Sequence, residues 1–359
     1  MNQNKKNKLL TFIFGSIFTL IVLLNFVLPK PVFIYSERRR VNPKPEITIQ
    51  KIQNNTYSNQ FEKYASDVFP FRENLKSIKT IWNTYILQQT DINNIIKKGD
   101  YLYKLDKDYN QDSVIKAAQK FNKVINKYGK NNNIYYSIVP DKNYYTDIYK
   151  YDYKQLEKDF IQNMQGEYIS LFEILNLSDY YKTDIHWKQE SLEKVADAIN
   201  QKLGYKKKVT SELKNTNNIF YGVLTGQYGF KTSPDTIKYI ENPAIKQLSV
   251  FDYQNNKETG IYNFDKLNDV DPYEFYLNGP ISLLEINNKN CKNDNHLIIF
   301  RDSFTSSLAP LLSENYSKIT LVDIRYISPS ILDKYIDFTD SDILIIQNAF
   351  VLNHSEVLL

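Results

Sequence analysis

Cysteine occurs once in 359 residues, at Cys291. A single thiol makes neither an intrachain disulfide nor a thiolate zinc site. It sits in a polar Asn-Lys-Asn-Cys-Lys-Asn-Asp run and reads as an incidental loop thiol. Histidine occurs only at 186, 296 and 354, which leaves little for a His-rich metal centre, and neither a metal nor an organic cofactor is expected. An excess of charge of one sign is also lacking. Lys+Arg is 45 against 41 Asp+Glu, a formal charge of +4, too small a surplus to argue for nucleic acid. Arginine is confined to positions 38, 39, 40, 72, 301 and 325. Hydrophobic residues are 42% of the chain, enough for a sizeable core.

One long uncharged run is present, at residues 9–28, interrupted only by Thr, Gly, Ser and Asn25. As a helix, twenty residues span about 30 Å, one hydrocarbon core. Lys5, Lys6 and Lys8 precede it, and no small-x-small cleavage site follows, so it reads as an uncleaved signal anchor. Lys30 and Arg38-Arg39-Arg40 on the other flank nearly balance the positive-inside count. The rest of the chain is read as lying outside the cytoplasm; a cytoplasmic hydrolase on the same tether is the alternative orientation.

The domain plan that follows is a cytoplasmic N-terminus over 1–8, the anchor over 9–28, a Pro-containing juxtamembrane linker over 29–60, and one α/β domain over 61–359. Apolar strands are predicted at 134–139, 168–171, 296–300, 318–324 and 342–347. Helices are predicted at 113–128, 153–164, 189–203, 304–312 and 330–336. Such alternation argues for a parallel sheet with helices on both faces. Residues 205–290 break the rhythm and are read as a loop-rich insertion near the site.

Two short segments carry candidate chemistry. In Phe300-Arg301-Asp302-Ser303-Phe304 an apolar strand ends and a serine stands at the mouth of a helix. Ligands of open parallel sheets bind beyond the carboxyl ends of strands, and a helix N-terminus supplies free N–H groups there. That suits a nucleophile whose adduct carries an oxyanion. A helix cap accounts for the same residues. In Thr183-Asp184-Ile185-His186-Trp187, His186 follows a carboxylate by two residues, whereas His296 would begin a sheet strand and His354 lies in the tail. Asp184 is placed to hold the imidazole tautomer, the third role in a serine triad. A buried, helix-capping histidine beside a packed Trp is the plainer alternative.

Taken together, Asp184-Ile185-His186-Trp187 and Arg301-Asp302-Ser303-Phe304 resemble the DHHW family, membrane-anchored SGNH-hydrolase-like proteins related to the alginate O-acetylation proteins. The resemblance continues in order along residues 60–350. It includes Asp67-Val68-Phe69-Pro70-Phe71-Arg72, Gly99-Asp100-Tyr101-Leu102-Tyr103, Val139-Pro140-Asp141-Lys142, the glycine-bearing loop 220–226, Tyr276-Leu277-Asn278-Gly279-Pro280 and Val322-Asp323-Ile324-Arg325-Tyr326. Ile185 stands where the family name has its first histidine, and Arg301 where related lipases have glycine.

The resemblance implies an SGNH-like fold and a Ser-His-Asp acyl-transfer site, with Ser303 as nucleophile, His186 as base and Asp184 as orienter. It implies oxyanion donors at the Ser303 and Gly222 backbones and the Asn278 side chain, and substrate contacts at Arg325 and Arg301. The implied activity is O-acetyl transfer to, or ester hydrolysis on, a cell-surface polysaccharide. The implied partner is a multi-pass membrane O-acyltransferase. A non-catalytic polysaccharide-binding or scaffolding component of the same system is the alternative.

Overall fold

The computed structural model describes residues 3–106, 108–205 and 211–359. They form two compact units: residues up to Ile92 together with Thr225–Phe230, and Asn93–Leu224 together with Lys231–Leu359.

The larger unit is built on an eight-stranded sheet. In chain order its strands are β1 (Asn133–Val139), β2 (Glu167–Tyr168), β3 (Ser249–Asp252), β4 (Lys257–Thr259), β5 (Leu283–Asn287), β6 (His296–Arg301), β7 (Lys318–Val322) and β8 (Ser341–Asn348). Their spatial order is β4-β3-β5-β7-β6-β8-β1-β2. β7, β6, β8, β1 and β2 pair in parallel, and β5, β3 and β4 extend the sheet antiparallel. β6 lies inside the parallel part, between β7 and β8, and its Leu297–Phe300 run is buried throughout, as a strand covered on both faces must be. Its side chains alternate between two cores. Leu297 and Ile299 join Leu321, Leu344 and Ile346 on one face, with Val195, Ile199 and Leu308 from the helices Glu193–Lys202 and Thr305–Leu312. Ile298 and Phe300 join Tyr136, Ile138 and Ile345 on the other, under the helices Gln111–Tyr128 and Tyr153–Asn163. The helix Gln111–Tyr128 buries Val114, Ala117, Ala118, Phe121, Val124 and Ile125, a stripe at helical spacing, and Asn110 caps it by accepting from Ser113 N. Removing a core ring such as Phe121 would cost about 3–5 kcal/mol.

The alternating pattern predicts a parallel sheet with helices on both faces, and the sheet observed is of that kind over five strands, with an antiparallel extension of three. Several elements differ from expectation. Residues 205–290 are more than a loop-rich insertion, since β3, β4 and β5 of the sheet come from them, along with the hairpin Glu212–Phe220/Asp235–Glu241. β3 has only four residues, of which Val250 and Asp252 are buried, too short a pattern to stand out among Asn and Lys. The 189–203 helix is split into a 3-10 turn at Gln189–Ser191 and the α-helix Glu193–Lys202. Residues 330–336 form only the 3-10 turn Pro329–Lys334, and the 168–171 strand is the two-residue β2.

The smaller unit contains the helix Gln3–Val27, none of whose residues is buried and which is long and apolar enough to cross a membrane. The expected linker 29–60 is partly helical, at Ile49–Gln53 and within Thr56–Asp67, and the compact unit runs on to Ile92 rather than ending at 60. The tie is Asp67, whose oxygens accept from Arg39 Nη1 and Nη2 at 2.7 Å each and from Asn42 N and Nδ2. Arg39 first, against the cost of burial, holds that carboxyl well below the usual range. Arg72 and Lys76, on the helix Arg72–Ile81, reach Glu37 at 2.6 and 2.7 Å. The Asp67–Arg72 stretch singled out in the sequence is therefore a clamp inside this unit.

Candidate active site

The site is built at the carboxyl end of the central strand. β6 ends at Arg301, and Asp302 and Ser303 turn the chain into the helix Thr305–Leu312. Asp302 fixes that turn. Its Oδ1 accepts from Phe304 N at 3.0 Å, and its Oδ2 accepts from Asn348 N, at the end of β8, at 2.6 Å. Burial pushes the Asp302 carboxyl up, against these bonds. Ser303 is half-buried between neighbours that are buried. Among the described residues no acceptor takes its backbone N–H, which lies at the positive end of the helix.

The second segment is held from many sides. The buried Lys142 ammonium donates to three carbonyls, those of Tyr181 at 3.0 Å, Lys182 at 3.1 Å and Asp184 at 2.7 Å. Burial lowers Lys142 to about 7, partly offset by Asp184 and Asp235. Asp235 Oδ2 accepts from Lys182 N and Thr183 N, Leu102 N donates to Lys182 O, and Leu224 N to Thr183 O. Tyr180 and Trp187 bridge as a short antiparallel pair, and Trp187 Nε1 donates to Phe304 O at 2.9 Å.

These ties bring Asp184, His186 and Ser303 together. Asp184 Oδ1 accepts from His186 N at 3.1 Å and from His186 Nδ1 at 2.6 Å, while Oδ2 accepts from Val223 N at 2.9 Å. An ionised carboxylate only accepts, so the imidazole proton sits on Nδ1 and Nε2 is left as an acceptor. Nε2 lies 2.8 Å from Ser303 Oγ. Asp184 is fully buried and His186 is 7% exposed, so water competes little for either bond. The ring is stacked on Tyr273, centroids 3.9 Å apart and planes within 8°, with Phe304 tilted against it at 4.8 Å. Tyr273 is itself fixed by a 2.9 Å contact between its hydroxyl and Ser307 Oγ.

The other sequence-derived site residues divide. Gly222 does not offer its N–H to a ligand, because that N–H donates to Thr183 Oγ1 at 2.9 Å. Glycine is required there because a Cβ would stand 2.3 Å from Asp184 Cβ and 2.4 Å from Thr183 O. Arg301 does not face a substrate either: it is 1% exposed, with Nη1 on Ser306 Oγ at 2.7 Å and Nη2 on Ile281 O at 3.1 Å. Burial lowers its pKa, partly offset by Asp323. Arg325 grips Asp323 through Nε at 2.8 Å and Nη2 at 2.6 Å and keeps some exposure. Asn278 accepts from Asn263 Nδ2 through Oδ1, and its own Nδ2 is buried without a partner among the described residues. Leu277 and Asn278 both hold positive φ, 55° and 61°, a left-handed pair that costs a leucine about 1–2 kcal/mol.

Sequence reasoning quoted Lys142 and Thr183 within motifs without their roles, and missed Tyr273 and Asp235. Nothing local marks Tyr273, which lies 87 positions from the ring it covers. Among the described residues, no group of three or more His, Cys, Asp or Glu is placed to hold a metal ion.

No protein-family model matches the sequence, and no curated protein does. Solved structures do. A DHHW family protein from Eubacterium siraeum is similar with a TM-score of 0.62 at 18% identity, over 74% of this chain and 94% of that one. Bacillus cereus PatB1 with a sulfonyl adduct is similar with a TM-score of 0.57 at 16% identity, over 72% and 97%. A second structure of Bacillus cereus PatB1 is similar with a TM-score of 0.55 at 15% identity, over 72% and 96%. At these identities the likeness is one of fold, and it supports the relationship that the ordered motifs imply: the chain has the fold of a DHHW family protein.

Proposed function

We propose that the protein is a membrane-anchored O-acetyltransferase or acetylesterase of the cell envelope that works on a polysaccharide through Ser303, His186 and Asp184. The observation that carries this reading is the unbroken line of hydrogen bonds from Asp184 through His186 to Ser303 Oγ, 2.6 and 2.8 Å long. A scaffolding protein has no need of that geometry, so the line favours an enzyme over a non-catalytic component.

In the mechanism, Ser303 Oγ attacks the acyl carbonyl as its proton passes to His186 Nε2. Asp184 keeps Nδ1–H oriented and stabilises the imidazolium. The oxyanion is received by the Ser303 N–H and by Asn278 Nδ2, a buried donor without a partner among the described residues. The tetrahedral adduct collapses as His186 returns the proton to the leaving group, leaving acetyl-Ser303. A sugar hydroxyl, or water in the esterase case, then gives its proton to Nε2 and attacks. Collapse returns the proton to Ser303 and releases the ester or acetate. Arg325 is the candidate contact to the polymer. The helix Gln3–Val27 serves as an uncleaved anchor with the larger unit outside the cytoplasm, and a multi-pass membrane acyltransferase supplies the acetyl group.

The test uses the full-length protein in detergent with a fluorophosphonate probe, and polymer acetylation in cells. Wild type should label and support acetylation; Ser303→Ala should do neither, with a loss of at least about a thousandfold in acyl transfer. Equal behaviour of the two proteins in both assays ends the proposal.

A further inference from the structure

The smaller unit holds a helix whose polarity is reversed. From Arg72 to Ile81 it is α-helical, and it continues through Trp82–Ile86 as a π turn. A helix on the surface of a protein turns its apolar side inward and its polar side to water. Here the inward positions are polar and four apart. Arg72 and Lys76 bond to Glu37, Thr80 Oγ1 donates to Tyr228 O at 2.7 Å, and Thr84 Oγ1 meets the Tyr228 hydroxyl at 3.2 Å. The segment 225–230 lies close against that side: a Cβ on Gly229 would stand 2.9 Å from Thr80 Oγ1.

The opposite side carries Phe71, Leu75, Ile78, Trp82, Tyr85 and Ile86, at steps of 4, 3, 4, 3 and 1. All are exposed, Phe71 by 60%, Ile78 by 61%, Trp82 by 55% and Tyr85 by 67%. So large a continuous apolar stripe in water marks a surface that something covers.

The cover is identified by where the stripe begins. Leu28–Pro31 follow directly on the helix Gln3–Val27 and line a cavity of about 590 Å³ together with Val68, Phe69, Pro70 and Phe71. The stripe therefore starts where the chain leaves its membrane-spanning helix, at the depth of the headgroups. Trp and Tyr are the residues that favour that depth. Basic residues follow the exit along the chain, at Lys30, Arg38, Arg39 and Arg40.

We propose that this helix lies flat in the interfacial layer of the bilayer, with Phe71, Leu75, Ile78, Trp82, Tyr85 and Ile86 immersed among the acyl chains. The inference rests on the anchor reading of Gln3–Val27. It makes the smaller unit a collar seated on the lipid surface, rather than a flexible stalk.

The protein has two tryptophans, and only Trp82 is exposed, since Trp187 is fully buried. Full-length protein is reconstituted into vesicles of phosphatidylcholine with a minority of phosphatidylglycerol, with and without brominated acyl chains. Flotation is measured first, then emission of wild type and of Trp82→Phe. The difference between the two isolates Trp82. The expected result is flotation, a blue-shifted Trp82 emission, loss of most of it to brominated lipid, and little loss to aqueous iodide. Flotation with Trp82 quenched by iodide and spared by brominated lipid overturns the interfacial helix and leaves the anchor standing. Failure to float overturns both. Trp82 protected from both quenchers, with a dimer crosslinked through a cysteine introduced by Ile78→Cys, replaces lipid by a second copy of the chain and also overturns the proposal.

Discussion

Two histidines of the larger unit have the same two neighbours, a carboxylate and an aromatic ring, and only one of them faces a serine. His186 pairs with Asp184 at 2.6 Å and stacks on Tyr273 at 3.9 Å. His354 pairs with Asp106 at 2.9 Å and packs on Phe350 at 4.4 Å. The difference lies in which nitrogen the carboxylate takes. Asp184 takes Nδ1 of a ring whose far nitrogen points at Ser303 Oγ, inside a buried shell. Asp106 takes Nε2 itself, and the His354 side chain is 36% exposed near Glu356. An Asp–His pair is thus common structural currency. What makes chemistry is the free second nitrogen, its burial, and a nucleophile on its axis.

That comparison is open to breaking. Replacing the carboxylate should separate the two pairs most: Asp184→Asn should lower kcat for acyl transfer by about 10³–10⁴, through the wrong tautomer, while Asp106→Asn changes it by less than about twofold. Comparable losses from both would mean that His186 has no special role. Lys142→Met comes next. It removes three bonds to buried carbonyls, of which Lys182 O keeps Leu102 N, so at about 1 kcal/mol for each of the other two the stability should fall by about 2 kcal/mol, read as a lower denaturation midpoint. A midpoint unchanged would show that the turn carrying Asp184 does not depend on this ammonium.

The stacked rings give a smaller effect. Tyr273→Leu removes an aromatic contact of about 0.5–1.5 kcal/mol, so kcat should drop by about twofold to tenfold with KM little changed, whereas Phe350→Leu at His354 should leave kinetics alone. Equal kinetics for wild type and Tyr273→Leu would remove Tyr273 from the site. The third histidine gives the smallest and is a control. His296 meets Thr320 Oγ1 at 2.8 Å and, among the described residues, pairs with no carboxylate; burial, then Lys318, lowers it to about 4. Its folded pKa lies below the unfolded value near 6.5, so the unfolded chain binds more protons between those values. Its contribution is complete above about pH 6.5 and is lost as pH falls toward 4. His296→Gln should flatten the stability curve in that window; an unaltered curve would put the acid sensitivity elsewhere.

Much of this architecture is readable in the chain. The strands around Ile134–Val139, Leu297–Phe300 and Ile343–Ile346 are apolar runs because both faces of the sheet are covered. Asp184, His186 and Ser303 stood out because histidine is scarce and one serine follows the central strand. Less was readable where partners lie far apart in sequence. Short alternating strands in 249–287 were hidden among polar residues. Gly222 looked like an oxyanion donor because a glycine loop suggests free N–H groups, whereas its N–H is spent on Thr183 and its missing side chain makes room for Asp184. Arg301 looked like a substrate contact because it adjoins Ser303, whereas strand alternation turns it into the protein.

The amino-acid sequence by itself determined most of the elements, the long apolar helix and the residue types of the candidate site, because periodicity, apolar runs and scarcity are local properties. The tertiary structure alone decided that Tyr273 covers the imidazole, that Lys142 ties three carbonyls, that His186 and not His354 meets a serine, and that the helix Arg72–Ile81 turns its apolar side outward. Each of those depends on which distant segments pack together, and packing is a property of the folded chain as a whole.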